Sequence, residues 1–328
     1  MIFQPFILGS GRAGQAIAKS LAILGLSDRE LDIEPVIWLE RGASLPKVDE
    51  KAGVLPVLLI ANPPGLHSDA ILDGERAGFP LIFCEKPACV NLEQVERLRA
   101  TRAQVAIFHV YRQMWGPQTL KRMLSEGEMG EVIAIEGRYW QSSTAQRALA
   151  GKPTDSWKND VALSGQFDAL LDVGSHWCDL AFWLAGRLPV RSHGWRSYKN
   201  AERPHRDSHV HVAFDFDDGS RAVSSISKTV HGATNHFEIQ ILGTRKRAAW
   251  NFLNPDEILI GEGASLRTMP RATNELGSKQ PPFHAMGWLE GYVEIIRQAL
   301  RKQRGETASE IPSLKQNLDM LSVLLSIS

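Results

Sequence analysis

Near the N-terminus, Gly9-Ser10-Gly11-Arg12-Ala13-Gly14 limits the folds open to this chain more than any other feature. The six residues follow a short apolar run, Phe3 to Leu8. They open a stretch, Gln15 to Leu26, whose apolar residues Ile17, Leu21 and Leu24 recur at helical spacing. A G-x-G-x-x-G alone is a weak signal; between a strand and a helix it has the context that its geometry requires. Gly9 permits a tight turn, Gly11 removes the side chain that would block a pyrophosphate, and Gly14 lets helix and strand pack closely. The helix that starts at Arg12 and Ala13 offers free N–H groups and the positive end of its dipole to phosphates.

The next hundred residues alternate apolar runs with helical patterns. Pro35 to Leu39, Val54 to Ile60, Leu81 to Cys84 and Val105 to Val110 read as strands, and Leu66 to Gly78 and Asn91 to Ala100 as helices. Asn91 reads as an N-cap, with Gln94 three residues on. Nearly continuous apolar strands separated by helices predict a parallel sheet covered on both faces.

After about residue 116 the rhythm changes. Lys121 to Glu126 reads as a short helix, Glu131 to Trp140 as a strand, and 141–169 as a long polar loop. Val173 to Leu184 reads as a helix. Five strand-like runs follow between 190 and 252, with Asp217-Asp218-Gly219 as a hairpin turn. Residues 262–282 read as a polar loop, and Trp288 to Lys302 and Leu314 to Leu325 as closing helices. The expected fold is α/β: an N-terminal doubly wound parallel sheet of the Rossmann type over 1–116, then an α+β domain over 117–328 with a large, mostly antiparallel open sheet.

Composition excludes several classes of function. Lys plus Arg and Asp plus Glu each total 37, so there is no net charge to drive binding to nucleic acid or an anionic membrane. No apolar stretch is long enough to cross a bilayer. Three cysteines without a C-x-x-C pair predict neither a disulfide framework nor a zinc site and suit a reducing cytoplasm. His209 and His211 share one face of a strand, but no third ligand lies at suitable spacing, so no metal is expected.

Candidate site residues cluster at the ends of the predicted strands. Glu40, after the second strand, is placed to bind ribose hydroxyls, which favours NAD; Arg41 beside it could grip a 2′-phosphate and leaves NADP open. A surface charge at a strand end would look the same as Glu40. Asn62 and Pro63 shape a rigid turn after the third strand, and His67 follows it, as a site residue or as a histidine satisfied by backbone. Glu85-Lys86-Pro87 closes the fourth strand with a charged pair that is costly to bury unless it is used. Asp172, His176 and Asp179 fall at i, i+4 and i+7, one polar stripe beside apolar Val173, Trp177, Leu180 and Leu184. A helix N-terminus there would keep His176 neutral and fit to act as a base; a histidine held by a capping aspartate would fit as well.

In this order these residues resemble the Gfo/Idh/MocA oxidoreductases, the relatives of glucose–fructose oxidoreductase and inositol 2-dehydrogenase. The resemblance rests on Gly9 to Gly14, Glu40, Glu85-Lys86-Pro87 and Asp172-x-Gly174-x-His176-x-x-Asp179, with support from His109-Val110-Tyr111-Arg112 and Gly127 to Val132. It implies a cleft between two domains and hydride transfer from a ring hydroxyl of a sugar, sugar derivative or cyclitol to NAD or NADP. By motif, Lys86 would stabilise the reacting oxygen, His176 would take the hydroxyl proton, and Asp172 would orient substrate or imidazole. Tyr111 and Arg112 would line the substrate pocket, and Glu85 and Lys86 would border the cofactor. A dinucleotide-binding regulator and an NAD-assisted glycosidase remain as alternatives. A homo-oligomer, dimer or tetramer, is expected through the C-terminal sheet.

Overall fold

A computed structural model of the protein describes residues 1–40, 42, 44–48, 53–151, 157–199, 205–272 and 287–327. The chain divides into two compact units, Met1–Gln113 with Trp288–Leu318, and Met114–Gly287 with Asp319–Ser328.

The first unit is built on a parallel sheet. Its strands are β1 (Ile2–Leu8), β2 (Asp32–Ile33), β3 (Ile37–Leu39), β4 (Val54–Ile60), β5 (Leu81–Cys84) and β6 (Val105–Ile107), in the order β2-β1-β4-β5-β6 with β3 also on β1. The stretch expected as one second strand is thus two short ones. Pro35, with no N–H to give, lies in the break between them. Helices α1 (Arg12–Ser27), α2 (His67–Ala77) and α3 (Leu92–Arg99) connect the strands. Asn91 caps α3 by accepting from the Gln94 N–H at 2.9 Å, while the Gln94 amide oxygen accepts from Val90 N–H, also at 2.9 Å. Gly78, at φ +87°, ends α2.

Two helices from the far end complete the account. Helix α8 (Trp288–Gln303) packs on α1 and buries Tyr292, Val293, Ile295, Ile296, Ala299 and Leu300. Gly291 lets α8 also approach the turn at Val110 closely: a Cβ there would lie 2.2 Å from the Val110 carbonyl oxygen. Buried Arg297 pairs with Asp28, just past α1, at 3.2 Å. Residues 288–318, expected in the second domain from chain order, therefore belong to the first unit. Helix α9 (Leu314–Leu325) begins in one unit and ends in the other.

The second unit carries an eight-stranded sheet. It comprises β7 (Val132–Trp140), β8 (Arg191–Ser197), β9 (His209–Asp215), β10 (Arg221–Ser227), β11 (His236–Gly243), β12 (Arg247–Asn251), β13 (Glu257–Glu262) and β14 (Ser265–Pro270). Their order is β14-β13-β12-β11-β7-β10-β9-β8, antiparallel except where β10 pairs β7. The β13–β14 hairpin occupies part of what sequence reads as a polar loop; β14 is almost wholly exposed, so it lacks the apolar alternation that marks a strand. Helices α4 (Trp115–Ser125) and α7 (Ser175–Ala185) contact this sheet. The expected long loop at 141–169 holds α5 (Ser143–Leu149) and α6 (Val161–Ser164); 152–156 within it lie outside the described residues. Both fold classes expected from sequence are present. Among the described residues no helix is long and apolar enough to cross a membrane.

Candidate functional site

The glycine turn has the geometry expected of it. Gly9 sits at φ +112°, and a Cβ on it would lie 2.6 Å from the Ala61 carbonyl carbon and oxygen. A Cβ on Gly14 would lie 1.9 Å from the Gly9 carbonyl oxygen. These two glycines are demanded by the fold itself. Gly11 differs: its φ of −70° suits any residue, and a Cβ there would meet nothing within 4 Å. Gly11 is also the N-cap of α1, without a side-chain cap bond, and the first turn carries no acidic residue. The N-terminal N–H groups of a helix have no partner within it. An open cradle ends in bare donors and a positive dipole, which fits a phosphate group. The side chain of Arg12 lies over the Trp288 ring at 5.8 Å, close to the same turn.

The turns beside it are braced by buried polar groups. His67 is buried, with Nδ1 at 2.8 Å from the Pro87 carbonyl and Nε2 at 2.8 Å from the Asn62 carbonyl. Burial pushes this imidazole down to about 4, against the pull of both carbonyls. His67 therefore sits between the Asn62-Pro63 turn and the Lys86-Pro87 turn, and in its neutral form its one N–H donates to one of the two carbonyls. The side-chain oxygen of Asn62 is buried without a protein partner, an orphaned acceptor beside the Gly9 turn. Glu40 is exposed just past β3, and Arg41 lies outside the described residues.

Lys86 precedes a cis peptide bond to Pro87 and remains partly exposed. Its neighbour Glu85 is buried and accepts the hydroxyl hydrogen of Tyr292 from α8, and Lys86 N–H also reaches the Glu85 carboxylate at 3.2 Å. Burial, with the Glu85 charge second, holds the Tyr292 phenol well above its ordinary range. Asn317 of α9 accepts from Ala88 N–H at 3.1 Å and sits 2.7 Å from His109 Nε2. Tyr111 and Arg112 are buried, and Arg112 donates to Gln316 at 3.0 Å. Sequence had flagged neither Tyr292 nor Asn317; their partners lie about two hundred residues away in the chain.

The second constellation departs from the expected stripe. A π-helical turn, Leu170–Gly174, leads into α7, so the backbone is already helical before His176, and the helix-start argument for a neutral imidazole does not hold. The wider turn also shifts Asp172 relative to α7. Asp179 is buried at 1% exposure, whereas His176 is the one residue of α7 before Ala185 that keeps partial exposure. The Tyr139 ring stands 6.1 Å from it. Asp172 Oδ2 accepts from Lys158 at 3.0 Å and from Lys228 at 2.7 Å. Lys228, buried just past β10, also reaches Asp168 at 2.7 Å. Burial alone would lower this lysine, but Asp172 and Asp168 outweigh it and raise it, so the ammonium persists. Asp207 in turn accepts from Leu170 N–H at 2.7 Å and from Asp168 N–H. Sequence singled out neither Lys228 nor Asp207. Among the described residues no three histidine, cysteine or acidic groups converge on a metal position.

Comparison with known proteins adds a resemblance. Residues 118–249 match the model of the GFO/IDH/MocA C-terminal domain. The whole length also aligns with the rhizopine catabolism protein MocA of Rhizobium meliloti, 24% identical over 99% of this chain and 95% of that protein. The chain is similar to the Gfo/Idh/MocA family over that C-terminal domain. A levoglucosan dehydrogenase of Pseudarthrobacter phenanthrenivorans is 24% identical over 62% of this chain, a stretch spanning 57% of that relative's length. An inositol dehydrogenase homolog from Azotobacter vinelandii, solved with NAD+, has the same fold at a TM-score of 0.82, with 18% identity over 98% of this chain and 93% of that one.

Proposed function

We propose that this chain is an NAD-dependent dehydrogenase acting on a ring hydroxyl of a sugar, sugar derivative or cyclitol. The observation that carries the reading is Gly11, a glycine that neither its backbone angle nor its protein surroundings require. The levoglucosan dehydrogenase and the NAD+-bound inositol dehydrogenase homolog among its relatives support the reaction class.

Gly9, Gly11 and Gly14, with the first N–H groups of α1 at Arg12 and Ala13, would hold the pyrophosphate. Glu40 would take the ribose hydroxyls and repel a 2′-phosphate, favouring NAD over NADP. Asn62 and Pro63 would border the cofactor, with the buried Asn62 oxygen as acceptor. His67 and Glu85 would act through the turns they hold. When bound, NAD supplies the hydride acceptor that turns the alcohol carbon into a carbonyl. Lys86 donates a hydrogen bond to the reacting oxygen and stabilises its growing negative charge. His176 takes the hydroxyl proton during oxidation and returns it during reduction. Asp172, held by Lys158 and Lys228, accepts from substrate hydroxyls. Tyr111 and Arg112 shape the substrate side of the turn that carries them.

The test is titration with NAD and NADP, then a panel of polyols, anhydrosugars and aldoses, beginning with levoglucosan and myo-inositol, read at the NADH absorbance band. Lys86→Ala and His176→Ala are expected to lose at least 100-fold in turnover while still binding NAD. No reduction of the cofactor with any of the panel, or preferred binding of NADP, would overturn the reading. Three buried free thiols suit a cytoplasmic setting. A dimer or tetramer through the open sheet face, where Val223 and Leu266 stay exposed, belongs to the same proposal and is checked by light scattering.

A further inference from the structure

The strand ends beside His176 carry polar groups that the proposed reaction does not use. Helix α7 is keyed to two neighbouring strands. Trp177 Nε1 donates to the Glu238 carbonyl of β11 at 3.1 Å. Gly137 of β7 makes room for that ring, since a Cβ there would lie 2.7 Å from Trp177 Nε1. One residue back along α7 is His176, and the Tyr139 ring of β7 stands 6.1 Å from it. Strands β7 and β11 are antiparallel and pair Trp140 with His236. Gln141 and Asn235 therefore stand opposite each other one step beyond that pair, on the same side of the sheet as Tyr139.

Three hydrogen bonds join the trio. Tyr139 Oη donates to Asn235 Oδ1 at 2.9 Å, and Gln141 Nε2 donates to Asn235 Oδ1 at 2.8 Å and to Tyr139 Oη at 3.2 Å. The backbone of Gln141 is pinned as well: its N–H donates to the Ser227 carbonyl at 2.8 Å, and its carbonyl accepts from Val230 N–H at 3.1 Å. Ser227 immediately precedes Lys228, which holds Asp172. Both amide hydrogens of Gln141 are thus spent on its neighbours, and its side chain is only half-buried. What it presents is a carbonyl oxygen on a fixed stalk. Such an acceptor suits a hydroxyl and offers nothing to a phosphate or carboxylate, whose ionised oxygens have no hydrogen to give. We propose that Gln141 is a substrate-contacting residue whose Oε1 accepts from a second hydroxyl of the ring that His176 deprotonates, with Asn235 and Tyr139 as its positioning residues. Resting on the dehydrogenase reading of His176, this contact narrows the substrate to a ring with an uncharged hydroxyl at that second position. Gln141 lies two residues beyond Tyr139 along the chain, about 6.8 Å, a span that one six-membered polyol covers with its substituents.

The experiment uses the full chain with saturating NAD and compares ring polyols with analogues lacking one hydroxyl: myo-inositol with its monodeoxy forms, and D-glucose with 2-deoxyglucose and 3-deoxyglucose. Wild type is expected to lose at least tenfold in kcat/KM when one particular hydroxyl, away from the oxidised carbon, is removed. Gln141→Leu is expected to raise KM for the parent compound at least tenfold, with kcat within threefold and NAD binding unchanged, and to treat parent and deoxy analogue alike. Asn235→Ala is expected to show a smaller rise in KM and to add nothing to Gln141→Leu. A purely structural role would lower kcat/KM for both compounds equally and keep their ratio; that result, or an unchanged KM in Gln141→Leu, would overturn the proposal. Calorimetric titration of the same compounds into the NADH-loaded chain separates the two failures. Binding that Gln141→Leu weakens tenfold, without NADH formation in wild type, sinks the dehydrogenase reading and supports the Gln141 contact. Absence of binding to wild type by every one of these compounds sinks the contact itself.

Discussion

Alanine at Gly11 is expected to separate cofactor binding from folding. Nothing in the protein crowds that position, so the change costs at most about 1 kcal/mol, the loss of a glycine N-cap. A methyl group in the cradle is expected to weaken NADH binding at least tenfold, read by fluorescence titration beside a thermal melt. Gly14→Ala, aimed into the Gly9 carbonyl, is expected to lose the fold as well. His67 gives a pH dependence with a definite sign. Its folded value of about 4 lies below the ordinary 6.5, so the unfolded chain binds the extra proton first. The contribution is complete above about pH 6.5 and falls by about 3 kcal/mol as pH drops to 4. Denaturant melts of His67→Gln across pH 4–7 are expected to show a flatter profile. At this scale the tight glycine turn was legible because a local motif specifies it. The placement of His67 between two turns was not, since both its partners are backbone carbonyls, which leave no letter in a sequence.

The π-helical turn before α7 shows where periodicity stops informing. Asp172, His176 and Asp179 fit a regular helix on spacing, but one widened turn separates the first from the others, and Asp179 ends up buried. What holds that turn is a lysine more than fifty residues away in the chain. Lys228→Met is expected to cost about 3–5 kcal/mol, because it takes the ammonium from the buried Asp168 carboxylate and from Asp172, which keeps its contact with Lys158. Faster amide exchange over 168–176, with exchange in β12 and β13 unchanged, is the measurement that checks it. Adding Asp168→Asn to Lys228→Met is expected to recover part of the loss. The strand alternation of β9 to β12 was readable because each buries one face of the sheet. Strand β14 was not, since almost nothing along it is buried.

For the molecule as a whole, chain order and spatial order part company at residue 288. Truncation at 287 is expected to unfold the first unit, which loses the apolar face of α8, Arg297 and the Tyr292 hydroxyl on Glu85. Circular dichroism and NADH titration of residues 1–287 check this. No local signal in the sequence says which sheet a closing amphipathic helix will cover; that choice is made by packing, here by Gly291 against Val110. The same topology bears on biosynthesis. When the ribosome has emitted Gln113, the first unit still lacks the helix that seals it, and residues 114–287 must be made first. At 5–20 residues per second that wait lasts roughly 10–35 s. Throughout it, the apolar surface that α8 later covers is exposed, so a chaperone able to shield that flank is expected to raise yield.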